Sequence, residues 1–172
     1  MYPSVEALST YTLGSGEYKE LNREISPIVL LKGKDRATGL ATGVAPGLSQ
    51  IGVMVPYAPV FQWLLSGWEG PIVATSGNRS HAPIEFKPEG ETELLQIADY
   101  VLHNDRRIVV PQDDSVVRFS SLTGQRIIMR RSRGLAPNFF PEGFHFPVDA
   151  NVLACGADLK SSFTILHQGN VY

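Results

Sequence analysis

Residues 71–80 read Pro71-Ile72-Val73-Ala74-Thr75-Ser76-Gly77-Asn78-Arg79-Ser80. The apolar run Ile72-Val73-Ala74 predicts a buried central strand. It stops at two hydroxyls, a glycine and an amide, which predict a turn. Gly77 takes a positive φ at little cost, and Asn78 tolerates one better than most residues. A turn of this kind can aim backbone N–H groups and side-chain donors at one point, which suits an anion. Ser, Gly and Asn are also the commonest turn formers, so on this stretch alone an ordinary strand-end turn is the leading reading.

On the N-terminal side, the first 25 residues read as two short helices. Pro27 then introduces Ile28-Val29-Leu30-Leu31, a continuous apolar run that predicts a strand buried on both faces. A loop with four glycines, Lys32 to Gly47, leads to a second apolar strand over Ile51–Val55. Ala58 to Trp68 predicts a helix with Pro59 in its first turn, where a missing N–H costs nothing. Val60, Phe61, Leu64, Leu65 and Trp68 fall at helical spacing and are expected to face the core.

On the C-terminal side, Ala82-Pro83-Ile84 reads as extended and Glu91 to Tyr100 as a helix. Tyr100 to His103 reads as a short strand, and Ile108-Val109-Val110 as extended. Asp113-Asp114-Ser115 opens a β-branched strand that turns at Gly124 and returns over Gln125–Arg130. Ala136 to Pro147 holds three prolines and four phenylalanines and reads as an extended linker. Val152–Gly156 and Ser161–His167 restart as strands, with Gly169 at a hairpin, and suggest the opening of another domain. Strands alternating with helices argue for an α/β fold, a mixed sheet with flanking helices.

The 172 residues are 43% hydrophobic, enough for one ordinary core. A formal net charge of -2 gives no global case for nucleic acid or an anionic membrane. Charge is uneven, however: Arg126, Arg130, Arg131 and Arg133 fall within eight positions. A single cysteine, Cys155, excludes an internal disulfide framework and fits a reducing compartment. The four histidines show no metal-ligand spacing, so no structural metal is expected. There is neither a bilayer-length apolar run nor a signal peptide, and the cytoplasm is the expected location.

No serine–histidine–aspartate triad can be assembled, and neither common phosphate loop is present. What remains is a set of strand-end hydroxyls, amides and arginines: Thr75, Ser76, Asn78, Ser115, Arg118, Arg130 and Arg131. Guanidinium groups are permanently charged forks that match phosphate oxygens, and hydroxyls and amides fix orientation around them. The inventory suits a nucleotide triphosphate. Asp113 and Asp114 read either as a local cap or as groups that orient an arginine or Mg²⁺.

The order of motifs VAPGLSQIGVMVPYAPVFQWLL, PIVATSGNRSHAPI, ADYVLHNDRRI, DDSVVRF and IIMRRSRGLAP resembles the YrdC-like domain of the hydrogenase-maturation carbamoyltransferases of the HypF family. LACGADLKSSFTILHQGN resembles the start of the TsaD-like domain that follows it there. The resemblance covers nearly the whole chain from about Ile28. It implies a twisted YrdC/RibB-like mixed sheet over residues 1–147, with 148–172 opening the TsaD-like domain. It implies carbamoyl phosphate or carbamate and ATP with Mg²⁺ as substrates, a carbamoyl-adenylate as product, and a HypE-like protein whose terminal cysteine accepts the carbamoyl group. In that family a Ser-x-Asn turn contacts nucleotide phosphates, here Ser76 and Asn78 with Thr75 before them. The aspartate-led strand start places Ser115 toward the nucleotide, and a hairpin-end arginine corresponds to Arg130 or Arg131.

Two departures stand out. The family carries Lys-x-Arg and then Lys-Pro-Phe-Ala-Val-Met ahead of this region, and the resemblance implies that the chain begins at the methionine that ends this motif. The sheet is therefore expected to be incomplete at the N-terminus, with an open edge available to a homodimer, and the chain alone is expected to be inactive. Val110 and Pro111 also stand where the family has arginine. Association of YrdC-like proteins with double-stranded RNA leaves a non-catalytic nucleotide- or RNA-binding module as the alternative.

Overall fold

The computed structural model describes residues 1–33, 39–137, 145–147, 150–156 and 162–172. The chain divides into two compact units. The first comprises Met1–Gly77 and Ile84–Pro137, the second Asn78–Pro83 and Asn138–Tyr172.

The first unit is built on a four-stranded mixed sheet in the order β2-β1-β3-β4. Its strands are β1 (Ile28–Lys32), β2 (Gln50–Val53), β3 (Val116–Phe119) and β4 (Arg126–Arg130). β1 runs antiparallel to β2 and parallel to β3, and β3 and β4 form a hairpin. The hairpin register shifts between Val116 and Val117, so β4 carries one extra residue there.

One face of this sheet is dry. Val29, Leu31, Val53 and Val117 meet Tyr2, Val5, Leu8, Tyr11, Leu21 and Leu135 in a single buried cluster. The covering elements are a 3₁₀ turn at Glu6–Leu8 and the helix α1 (Ser15–Leu21). The helix starts where Glu17 Oε2 accepts the N–H of Gly14 at 2.7 Å. It is tied to the hairpin through the buried carboxylate of Glu20, which takes Arg126 Nη2 at 2.6 Å and Arg23 Nη1 at 3.2 Å. β1 was expected to be buried on both faces. Burial instead alternates, with Val29 and Leu31 inside and Ile28 and Leu30 only half covered. Among the described residues, α1 is the helix that packs on the sheet, against β1 and β3.

Tyr2 and Tyr11 meet inside this core, hydroxyl to hydroxyl at 3.1 Å with their rings edge-on. Burial, and then the Tyr11 hydrogen bond, raise the Tyr2 phenol well above its ordinary range. The unfolded chain ionises near pH ~10. The stabilisation is therefore complete below that pH and is lost as pH rises above it, by about 1.4 kcal/mol per pH unit. Tyr2→Phe is expected to flatten the alkaline fall of the urea midpoint. An unchanged alkaline limb in that variant would remove Tyr2 as its source.

Several expected elements differ. The helix α2 (Pro59–Ser66) forms, but only Leu65 on it is buried, while Trp63 is 74% and Leu64 51% exposed. Trp68, just past its end, is exposed too. The apolar stripe is present, but among the described residues most of it is exposed. The helix expected over Glu91–Tyr100 is the single turn α3 (Glu91–Leu94), and Leu95 and Ile97 lie exposed. One turn has too few internal bonds to propagate without a packed face. Tyr100–His103 forms no strand, nor does the expected central run Ile72–Ala74. Ile72 exchanges two hydrogen bonds with Met1, at 2.9 and 2.7 Å, while Val73 is 75% exposed. An extended segment paired at one residue has no ladder to bury it.

The second unit holds an antiparallel meander of β5 (Val152–Cys155), β6 (Phe163–His167) and β7 (Asn170–Val171). Its strands are largely exposed, as is the Cys155 thiol. The expected linker over Ala136–Pro147 lies mostly outside the described residues, as does Ser161. Among the described residues no helix is long and apolar enough to cross a membrane.

Candidate functional site

Side chains alternate across a strand, so the ladder register sorts the chemistry by face. Opposite the dry face, Gly52, Leu30, Arg118 and Ile127 form one cross-strand row. Ile28, Val116 and Arg130 form the next, and Lys32 lies beside Gln50 at the far end. This face therefore carries three cations over a half-buried apolar floor. Arg118 and Lys32 are exposed, and no hydrogen bond or ion pair of their side chains is found among the described residues. Lys32 was not singled out from the sequence. Its phase with Ile28 and Leu30 is the signal that would have found it.

At one end of the sheet the start of β1, the start of β3, the end of β4 and the chain leaving β2 come together. Arg133 stands at this junction. Its Nε donates to Asp114 Oδ1 at 2.8 Å, Nη1 to the Ile25 carbonyl at 2.9 Å and Nη2 to the Ser26 carbonyl at 3.0 Å. The guanidinium carbon lies 3.7 Å from the centre of the Tyr57 ring. Partial burial, followed by the Asp114 carboxylate, raises the Tyr57 phenol, and Arg133 opposes them. Every nitrogen of the Arg133 fork is committed to the protein itself.

The expected site residues sort accordingly. Ser115 was expected to face the nucleotide, but its side chain is fully buried on the dry side. Its hydroxyl donates to the Arg133 carbonyl and accepts the Ser132 N–H, both at 2.9 Å. Arg130 donates through Nε to the Asp114 carbonyl at 2.7 Å and is otherwise open on the cationic face. Arg131 turns back to the Leu135 carbonyl at 2.9 Å. Geometry thus separates two arginines that the sequence left equivalent. Asp114 is occupied by Arg133, and the Asp113 carbonyl accepts the Arg133 N–H at 3.1 Å. Among the described residues, no three His, Cys, Asp or Glu side chains are grouped to hold a metal.

Thr75 and Ser76 lie exposed in the first unit, and Asn78 belongs to the second. The Asn78 amide donates to the carbonyls of Arg79, at 2.7 Å, and Ala82, at 3.0 Å, closing its own loop. The aspartate-led strand and the hairpin exit therefore meet.

Residues 1–132 match the Sua5/YciO/YrdC family profile, described as telomere recombination. Among curated proteins, the chain is 38% identical over 157 residues to the carbamoyltransferase HypF of Synechocystis, covering 91% of this chain and 20% of that one. It is 34% identical over 145 residues to the carbamoyltransferase HypF of Rhodobacter capsulatus, covering 84% and 19%. The chain thus spans about a fifth of the length of the curated relatives it matches. Among solved structures, a full-length HypF in a phosphate- and nucleotide-bound form superposes with a TM-score of 0.79 at 38% identity, over 98% of this chain and 26% of that one. HypF from T. kodakarensis superposes with a TM-score of 0.77 at 36% identity, over 98% and 21%.

Proposed function

The chain belongs to the Sua5/YciO/YrdC family, and from that premise we propose that it is the nucleotide-activating portion of a HypF-type carbamoyltransferase. The observation that carries this reading is the cationic face of the sheet, where Lys32, Arg118 and Arg130 rise from one side of an apolar floor. Permanently charged forks on rigid strands suit the oxygens of a triphosphate, and the apolar floor suits a base or sugar edge. The nucleotide in the superposed HypF structure supports the same ligand class.

In this reading the face binds ATP and holds its phosphates by electrostatics and positioning. Water first cleaves carbamoyl phosphate to carbamate and inorganic phosphate, and a carbamate oxygen then bonds to the α-phosphorus. The bond to the bridging oxygen breaks, and pyrophosphate leaves. The cysteine thiol of a HypE-like acceptor then attacks the carbamoyl carbon, the bond to AMP breaks, AMP leaves and the thiol proton passes to solvent. Asp114 is engaged by Arg133, so the described residues do not form a Mg²⁺ cage. A Mg²⁺ would be carried by the phosphates, which is its usual mode with nucleotides. Thr75, Ser76 and Asn78 are assigned as phosphate contacts on their likeness to the family's Ser-x-Asn turn. Residues 148–172 are assigned to the opening of a TsaD-like domain on the same ground. The exposed Cys155 thiol fits a reducing cytoplasm.

The test is an ATP titration followed by amide NMR at low salt. The 172-residue chain is expected to bind weakly, with shifts concentrated in β1, β3 and β4. Arg118→Ala is expected to weaken binding about fivefold, the effect of one exposed charge-assisted contact. Shifts that avoid those strands, or an Arg118→Ala variant that binds like wild type, would end this assignment. Salt-sensitive binding of duplex RNA without any ATP response would put the RNA-binding module in its place.

A further inference from the structure

We propose that Arg133 is a positioning residue for the cationic face: its guanidinium fork ties the starts of β1 and β3 to the segment leaving β2, and so sets where Arg130 stands. This rests on the nucleotide reading above. The connection is a short chain of contacts. Arg133 grips the Asp114 carboxylate at 2.8 Å, and the Asp114 carbonyl takes Arg130 Nε at 2.7 Å. Arg130 is thereby anchored at Nε with its remaining donors open to the face. The main chain repeats the tie. The Arg133 N–H donates to the Asp113 carbonyl, and the Ser132 N–H donates to Ser115 Oγ.

The fork also holds a strained neighbour. Ser26 has a φ of 36°, a left-handed conformation that non-glycine residues rarely adopt. Its carbonyl is the acceptor of Arg133 Nη2. Ser26 and Pro27 immediately precede β1, so a loosened Ser26 would shift the start of that strand. Tyr57 closes the remaining side by stacking on the guanidinium plane, which a lysine ammonium cannot reproduce. Each Arg133 nitrogen thus already donates to a protein carbonyl or carboxylate, and a ring covers the guanidinium plane.

The experiment compares Arg133→Lys, Arg130→Ala, Tyr57→Leu and Gly124→Ala with the wild-type chain by amide hydrogen exchange and by ATP titration. Arg133→Lys keeps the charge and loses the fork. It is expected to speed exchange at the Ser132 and Arg133 amides about tenfold or more, and to weaken ATP binding as much as Arg130→Ala does. Tyr57→Leu is expected to do the same to a smaller extent, and covers the case in which Arg133→Lys does not fold. Gly124→Ala destabilises the hairpin tip away from the junction and is expected to leave ATP affinity unchanged. If Arg133→Lys loses ATP binding while both amides stay protected, Arg133 is itself a phosphate ligand and the proposal is overturned. Unchanged protection together with unchanged affinity overturns it as well. If the wild type shows no ATP response, the nucleotide reading fails by itself, and the exchange rates still decide whether the fork holds the junction.

Discussion

Gly134→Val is expected to destabilise the chain by about 3–5 kcal/mol, the largest effect of any single change considered. Gly134 has a φ of +79°, and a Cβ added there would stand 2.6 Å from the Ile25 Cβ and 3.4 Å from its Cα. A side-chain tip could swing aside, but a Cβ is fixed to its backbone. Either the start of β1 or the loop after β4 must move, and both are held by Arg133. The left-handed backbone adds about 1–2 kcal/mol for any L-residue, and more for a β-branched one. Gly124 supplies the control. It has a φ of +68° with nothing within 4 Å of the point a Cβ would occupy, so Gly124→Ala carries only the backbone cost, about 1 kcal/mol. Urea midpoints of Gly134→Ala, Gly134→Val and Gly124→Ala separate the two contributions. Equal losses at both glycines would mean that the contact with Ile25 costs nothing.

Ser115→Ala is expected to cost about 2–3 kcal/mol, although it deletes a single oxygen. That oxygen both accepts the Ser132 N–H and donates to the Arg133 carbonyl, inside a fully buried site. Alanine leaves a donor and an acceptor stranded where water cannot easily replace the partner. The loss should appear as a lower urea midpoint, with faster exchange at the Ser132 amide. A hydroxyl that served only to contact a ligand would leave the midpoint unchanged, and that result would return Ser115 to the nucleotide.

The hairpin was legible because its signals are local. Val116, Val117 and Phe119 are β-branched or aromatic, Gly124 permits the turn, and Arg126 to Arg130 returns, while the register shift near Val116 left no mark in the sequence. Ile28 to Leu31 was legible as a strand, but its two faces were not, since an apolar run carries no alternation. Val60, Leu64 and Trp68 show the opposite limit. Helical periodicity establishes which residues share a face and is silent on what that face meets, and here, among the described residues, most of it is exposed. Ile72 to Ala74 had the composition of a buried strand, yet burial of a strand depends on neighbours that its own residues do not encode.

The arginines make the same distinction at the site. Arg118, Arg130, Arg131 and Arg133 are alike as sequence, each a permanent charge near a β-hairpin. Residue types alone determined that this region concentrates cations and hydroxyls fit for an anion, and that its strands belong to an α/β sheet. Only the tertiary structure decided which cation is open and which is spent, because a guanidinium binds whatever acceptor the fold brings within 3 Å or so. For Arg133 those acceptors come from Ile25, Ser26 and Asp114, two of them more than a hundred residues away in the chain.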